Sequence, residues 1–119
     1  MEGLRSTRVD FIELHILHHA AQQPVYGVWM IEELTRHGYR LGPSQLYPRF
    51  HRLARDGHLV CREAVAAGKL RKYYRITAAG RAYFRRQKRR LIELAAEALS
   101  SEDLRNLLKR QTSDGHGKR

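Results

Sequence analysis

Residues 43–76 read PSQLYPRFHRLARDGHLVCREAVAAGKLRKYYRI, and the fold turns on where this stretch changes its period. Leu46, Phe50 and Leu53 recur at helical spacing, so a helix is expected from about Pro43 to Asp56, closed by Gly57. Pro43 suits a first helical position, where its missing N–H removes no bond. Pro48 removes one bond further in, and some local distortion is expected there. Beyond Gly57 the period shortens. HLVCREAVA sets Leu59, Cys61 and Val65 against His58, Arg62 and Glu63, with Val60 breaking strict alternation. AAGK reads as a turn and LRKYYRI as the return strand, in which one of Tyr73 and Tyr74 is expected in the core and the other outside.

Upstream, a first helix is expected from about Thr7 to Ala21, with Ser6 or Thr7 as N-cap and Asp10 in its first turn. Val9, Ile12, Ile16 and Ala20 form one apolar stripe. Phe11, Leu14 and Leu17 occupy other sectors, and an end helix that is apolar on two sides points to a partner subunit. After QQPVYG, a second helix runs from about Val25 to His37, with Val28, Ile31 and Leu34 inward and Gly38 as a left-handed C-cap. Downstream, Thr77 caps a long helix whose apolar line is Phe84, Leu91, Ala95 and Ala98. Ser100 or Ser101 opens a last helical piece, and the polar tail from Gln111 is expected to be disordered. No internal repeat is visible.

The predicted fold class is therefore mostly α with a small β-hairpin: a winged helix-turn-helix plus a long C-terminal helix, to which the family resemblance given below assigns dimerisation. The expected divisions are residues 7–77 for the winged domain, 78–110 for the C-terminal dimerisation helix and 111–119 for the tail.

Charge narrows the function. The 119 residues carry a formal net charge of +11. From Arg36 to Arg90 there are 16 Lys/Arg against two acids, a net of +14, while the remainder holds 7 Lys/Arg and 10 acids, a net of −3. A basic block of this kind suits a polyanion; the plainer alternative is a solvated face that aids solubility. The lone Cys61 excludes an internal disulfide framework. The opening MEGLRSTR lacks the apolar core of a secretory signal, and no apolar run is long enough to span a bilayer. A cytoplasmic protein is expected. No nucleophile elbow, phosphate-binding glycine loop or zinc-peptidase motif occurs, so the chain does not read as an enzyme.

A helix fits the major groove of B-DNA, and recognition helices meet bases near their N-termini, where Ser44 and Gln45 stand here. The hairpin tip brings Lys69, Arg71 and Lys72 to where a neighbouring backbone could lie. Two further segments carry a family likeness: GPSQLYPRFHRLARDGHLV with its Tyr-Pro pair and the following Arg-Leu, and GKLRKYYRITAAGRAYF with its basic wing. Together they resemble PadR-like transcriptional regulators over about Val9 to Leu99. Ala54 departs from the pattern, in which an acidic residue often follows the Arg-Leu pair.

The resemblance implies an operator-binding homodimer built through the first and long C-terminal helices. It places Ser44, Gln45, Tyr47 and Arg49 at recognition-helix contacts and Lys69, Arg71 and Lys72 in the wing. A ligand-responsive repressor on a palindromic operator is the resulting expectation, with double-stranded DNA and a small-molecule or metal effector as partners.

Several side chains have structural alternatives. Tyr47 could pack against the wing through its ring or offer its hydroxyl to a phosphate. Arg52 suits holding the third helix to its neighbours better than touching DNA, and the arginines at 85, 86, 89 and 90 suit a solvated face. Trp29 suits packing better than an effector pocket. His15, His18 and His19 are spaced three and four apart on the first helix, with Asp10 and Glu13 near in sequence, so a divalent metal effector held by these histidines is an alternative to ordinary interface packing. A basic RNA-binding protein and a protein adaptor are the other rivals.

Overall fold

A computed structural model describes residues 9–117. Its elements are α1 (Phe11–Ala20), α2 (Gly27–Arg36), α3 (Pro43–Arg55), β1 (Leu59–Ala66), β2 (Lys69–Ile76), α4 (Ala78–Ala98) and α5 (Ser101–Gly117). Three helices followed by an antiparallel hairpin is the winged-helix order, and the mostly helical fold class expected from the sequence is the one observed.

Local chemistry sets the boundaries. Asp10 caps α1, its Oδ1 accepting from the amides of Ile12 at 2.9 Å and Glu13 at 3.1 Å. The start expected near Thr7 is therefore corrected to Phe11; Ser6 and Thr7 lie outside the described residues. Val25 does not open α2. Its amide donates to the Tyr74 carbonyl at 2.9 Å and its carbonyl accepts from the Tyr74 amide at 2.7 Å, a bridge that adds a third rung beside β2. Gly38 ends α2 with φ +91°, the left-handed turn expected of it.

Inside, Ile16 and Leu17 of α1, Met30 and Leu34 of α2, and Leu46, Phe50 and Leu53 of α3 pack with Leu59, Tyr74 and Ile76 of the hairpin. Phe50 stacks on Tyr74 with centroids 4.3 Å apart and planes at 8°. Two expectations fail here. On α2, Val28 is exposed and Ile31 only half-buried, because Gly27, Met30, Glu33 and Leu34 take the inner face. On β1, Cys61 and Val65 are exposed: only the hairpin's base reaches the core, so alternation beyond Leu59 no longer means burial.

Thr77 caps α4, its Oγ1 accepting from the Gly80 amide at 2.9 Å while donating to the Gly57 carbonyl at 2.6 Å. Gly80 is required by proximity, because a Cβ there would lie 2.0 Å from the His58 carbonyl oxygen. With Gln87 also buried, the first compact unit reaches Lys88, beyond the expected limit at Thr77. The second unit begins at Arg89 and includes α5. Ser100 caps α5, its Oγ accepting from the Asp103 amide at 3.0 Å while the Asp103 carboxylate accepts from the Ser100 amide at 2.9 Å. The helix continues to Gly117, so most of the stretch expected to be disordered from Gln111 is helical.

Candidate nucleic-acid interface

The outer side of α3 presents Ser44, Gln45, Pro48, His51, Arg52 and Arg55 to solvent. Ser44 and Gln45 lie in its first turn. The Gln45 Oε1 accepts from the Gly42 amide at 2.8 Å and from the Ser44 hydroxyl at 3.3 Å. That fixes the carboxamide by its oxygen and leaves two N–H donors as the groups a base edge would meet. The two expected recognition-helix residues beyond them, Tyr47 and Arg49, are both engaged within the fold. Tyr47 is half-buried with its hydroxyl against the start of α2: a Cβ added at Gly27 would lie 1.9 Å from that oxygen. Tyr47 thus packs against α2. Arg49 donates through Nε to Asp10 at 3.1 Å and through Nη1 to the Gln45 carbonyl at 2.8 Å.

Arg52 is held in the same way, donating to Glu13 Oε2 at 2.8 Å. Glu13 is buried, and its other oxygen accepts from the Tyr83 hydroxyl at 3.0 Å. One carboxylate of α1 therefore fastens both α3 and α4. Asp10 and Glu13, near the histidines in sequence, are committed to Arg49 and Arg52.

The hairpin turns at Ala67 and Gly68, with φ +53° and +77°. Two successive left-handed residues match the strand twist and give a tight two-residue turn. Lys69 pairs with Ala66, Arg71 with Ala64 and Lys72 with Glu63. Since strand side chains alternate, Lys69 and Arg71 share one face with Tyr73 and Arg75, and Lys72 falls on the other. Lys69 and Lys72 are exposed. Arg71 is half-buried, its guanidinium 4.3 Å above the Tyr26 ring, which in turn meets Tyr73 edge-on at 5.3 Å. A cation laid on an aromatic face keeps its charge while losing mobility. Arg62 and Arg75, which the sequence did not single out, line a groove of about 420 Å³ with Gln23, Pro24, Val60 and Tyr73.

The histidines divide differently from their order in the chain. His15 and His19 approach His37 from the end of α2, so that one ring nitrogen from each lies within 4.8 Å of the others. His18 is exposed, its Nε2 3.4 Å from Gln22 Nε2. Trp29 meets His19 edge-on at 5.3 Å, the packing role expected of it. Glu33 and His37 went unnoticed in the sequence because their relation to α1 exists only once α1 and α2 pack. Burial alone would raise the Glu33 carboxyl, but the hydrogen bond and charge of Arg36, with His19 and His37, outweigh it and hold the group below its ordinary value.

Among the described residues no helix is long and apolar enough to cross a membrane. Residues 16–86 match the family described as transcriptional regulator PadR-like. The transcriptional regulator Rv3488 of Mycobacterium tuberculosis is 50% identical over 91 residues, which cover 76% of this chain and 85% of that one. A PadR-like transcriptional regulator from Bacillus cereus superposes with a TM-score of 0.66 at 26% identity, covering 81% of this chain and 89% of the other. A PadR family transcriptional regulator from Eggerthella lenta gives 0.61 at 28% identity, covering 75% and 81%.

Proposed function

The chain belongs to the PadR-like family of transcriptional regulators, and on that premise we propose that it represses transcription as a homodimer bound to a palindromic operator. Ser44 and Gln45 enter the major groove at the head of α3, while Lys69, Arg71 and Lys72 meet the flanking backbone. Arg49 and Arg52 act chiefly by locking α3 to α1, and Tyr47 by seating it against α2. The observation that carries this reading is the exposed polar head of α3 in the same compact unit as a hairpin whose tip holds three cations.

Pairing of two chains is supported by apolar side chains left in solvent. Phe11 of α1 is 53% exposed, Ile92 63% and Leu94 55%. Two-fold symmetry then sets half-site centres about 34–36 Å apart. A small effector that changed the angle between the two winged units would prevent both α3 helices from docking at once and so release the operator.

Mobility-shift titration against fragments of the source genome tests this. With about six to ten phosphate contacts per dimer, log K should fall with log salt at a slope near −5 to −9. Joint replacement of Lys69, Arg71 and Lys72 by alanine should weaken binding to every fragment and flatten that slope by about 3 to 5. Gln45→Ala should change the ranking of operators instead. A monomer that shifts no fragment at low salt, or that prefers duplex RNA, refutes the reading.

A further inference from the structure

Helices α1 and α2 each carry two donor residues one turn apart, and packing turns the pairs toward one another. His15 and His19 come from α1; Glu33 and His37 come from the last turn and cap of α2. The Glu33 Oε2 stands 3.4 Å from His19 Nε2 and 3.2 Å from His37 Nε2. An ion bound tetrahedrally at about 2.0–2.1 Å from each donor sets the donors about 3.4 Å apart. Two edges of such a tetrahedron are thus already in place. One ring nitrogen from each of the three imidazoles lies within 4.8 Å of the others.

We propose that His15, His19 and His37, together with Oε2 of Glu33, bind a divalent first-row transition ion, zinc by the donor set, and so clip α1 to the end of α2. A carboxylate partner alone accounts for His19 and His37. It does not account for His15, whose ring lies 4.8 Å from that of His37 and completes the donor set. Three imidazoles and a carboxylate suit zinc and its neighbours in the series and do not suit calcium or magnesium, which require oxygen donors. Arg36 engages the other oxygen of Glu33, orienting the carboxylate as an outer partner orients a ligand. Ligating imidazoles must be neutral. His15 and His19 are both held below their ordinary pKa, chiefly by burial and then by the charge of neighbouring histidines.

The site excludes His18, and this separates it from an ordinary histidine-rich helix. Tag-free full-length protein, stripped with chelator, should be titrated with zinc by calorimetry and with cobalt(II) by visible absorption. One ion per chain is expected, with the strong d–d bands of tetrahedral cobalt. His15→Ala and His37→Ala should each weaken binding at least tenfold, and His18→Ala less than threefold, all three melting cooperatively as the wild type does. Absence of saturable binding, a loss under tenfold in either site variant, or an equal loss in His18→Ala overturns the proposal. Mobility shifts of the chelator-treated protein are scored separately, so failure of the metal site and failure of operator binding are told apart.

Discussion

Glu13 is the side chain whose removal should cost the winged unit most for the fewest atoms changed. It is buried on α1, with Oε2 bound to Arg52 of α3 at 2.8 Å and Oε1 to Tyr83 of α4 at 3.0 Å. Hydrogen bonds to charged groups contribute about 1.5–3 kcal/mol when shielded. The Arg52 side chain is 43% exposed, so its share falls to about 0.5–1 kcal/mol. Tyr83 is half-buried and its pKa is pushed up to about 12, by burial first and then by the Glu13 charge, so the hydroxyl keeps its proton and donates. Its bond retains about 1–1.5 kcal/mol. Glu13→Gln removes the charge and turns an N–H toward one of two donors, for a loss of about 2 kcal/mol. In a domain of this size that corresponds to a fall of roughly 8–16 °C in melting temperature. Thermal unfolding followed by circular dichroism, at one fixed protein concentration, reads it. In a double-mutant cycle with Tyr83→Phe the coupling should exceed about 0.5 kcal/mol. A Glu13→Gln variant within about 0.5 kcal/mol of wild type, or strict additivity in the cycle, would refute the assignment of Glu13 as the joint between α1, α3 and α4.

Gly80→Ala should destabilise by about 2 kcal/mol or more, although alanine is the better helix former by roughly 1 kcal/mol. The added Cβ meets a backbone oxygen that cannot rotate away; an unchanged urea midpoint would show that α4 does not approach His58 so closely. Acidification should also destabilise. His15, His19 and His58 all have folded pKa values below the usual 6.5, chiefly through burial. The unfolded chain then binds more protons below that pH, and stability is lost as pH falls through about 6.5, ceasing to fall further below the folded values. Glu33 adds a separate loss only at more acid pH, below its unfolded value of 4.5. Melting temperatures measured from pH 7.5 to 5.5 should decline, and His58→Gln should shallow the decline; a flat profile would contradict the burial of these rings.

Periodicity located the elements because it registers a local fact, the burial of one face. It found α3, the hairpin and the Thr77 cap within a residue or two. It misjudged features that depend on what lies across the gap. Val25 reads as helical until its backbone finds Tyr74, and Cys61 reads as core until the hairpin is seen to leave the body of the unit. The same limit governs the interface. The placement of Ser44 and Gln45 at the head of α3, and of Lys69, Arg71 and Lys72 beside the hairpin turn, was legible from spacing and charge. The holding role of Arg52 was legible too, but not its partner Glu13, nor the retention of Arg49 by Asp10, because residues 39 positions apart carry no local signal of contact.

Those retained arginines bear on how a small basic domain can read DNA selectively. Had every cation on α3 been free, its attraction to phosphate would have been strong on any sequence, since backbone neutralisation carries no base information. Tying two of them to Asp10 and Glu13 fixes α3 on α1 through charge-assisted bonds; on the proposed reading its uncharged head, Ser44 and Gln45, is then the part that would meet base edges. On the same reading Lys69, Arg71 and Lys72 of the hairpin would supply the backbone contacts. The same helix, α1, holds Arg49 and Arg52 with Asp10 and Glu13 and offers His15 and His19 toward α2. An ion seated on those histidines would therefore act on the element that holds α3, since Glu13 lies next but one to His15 along α1.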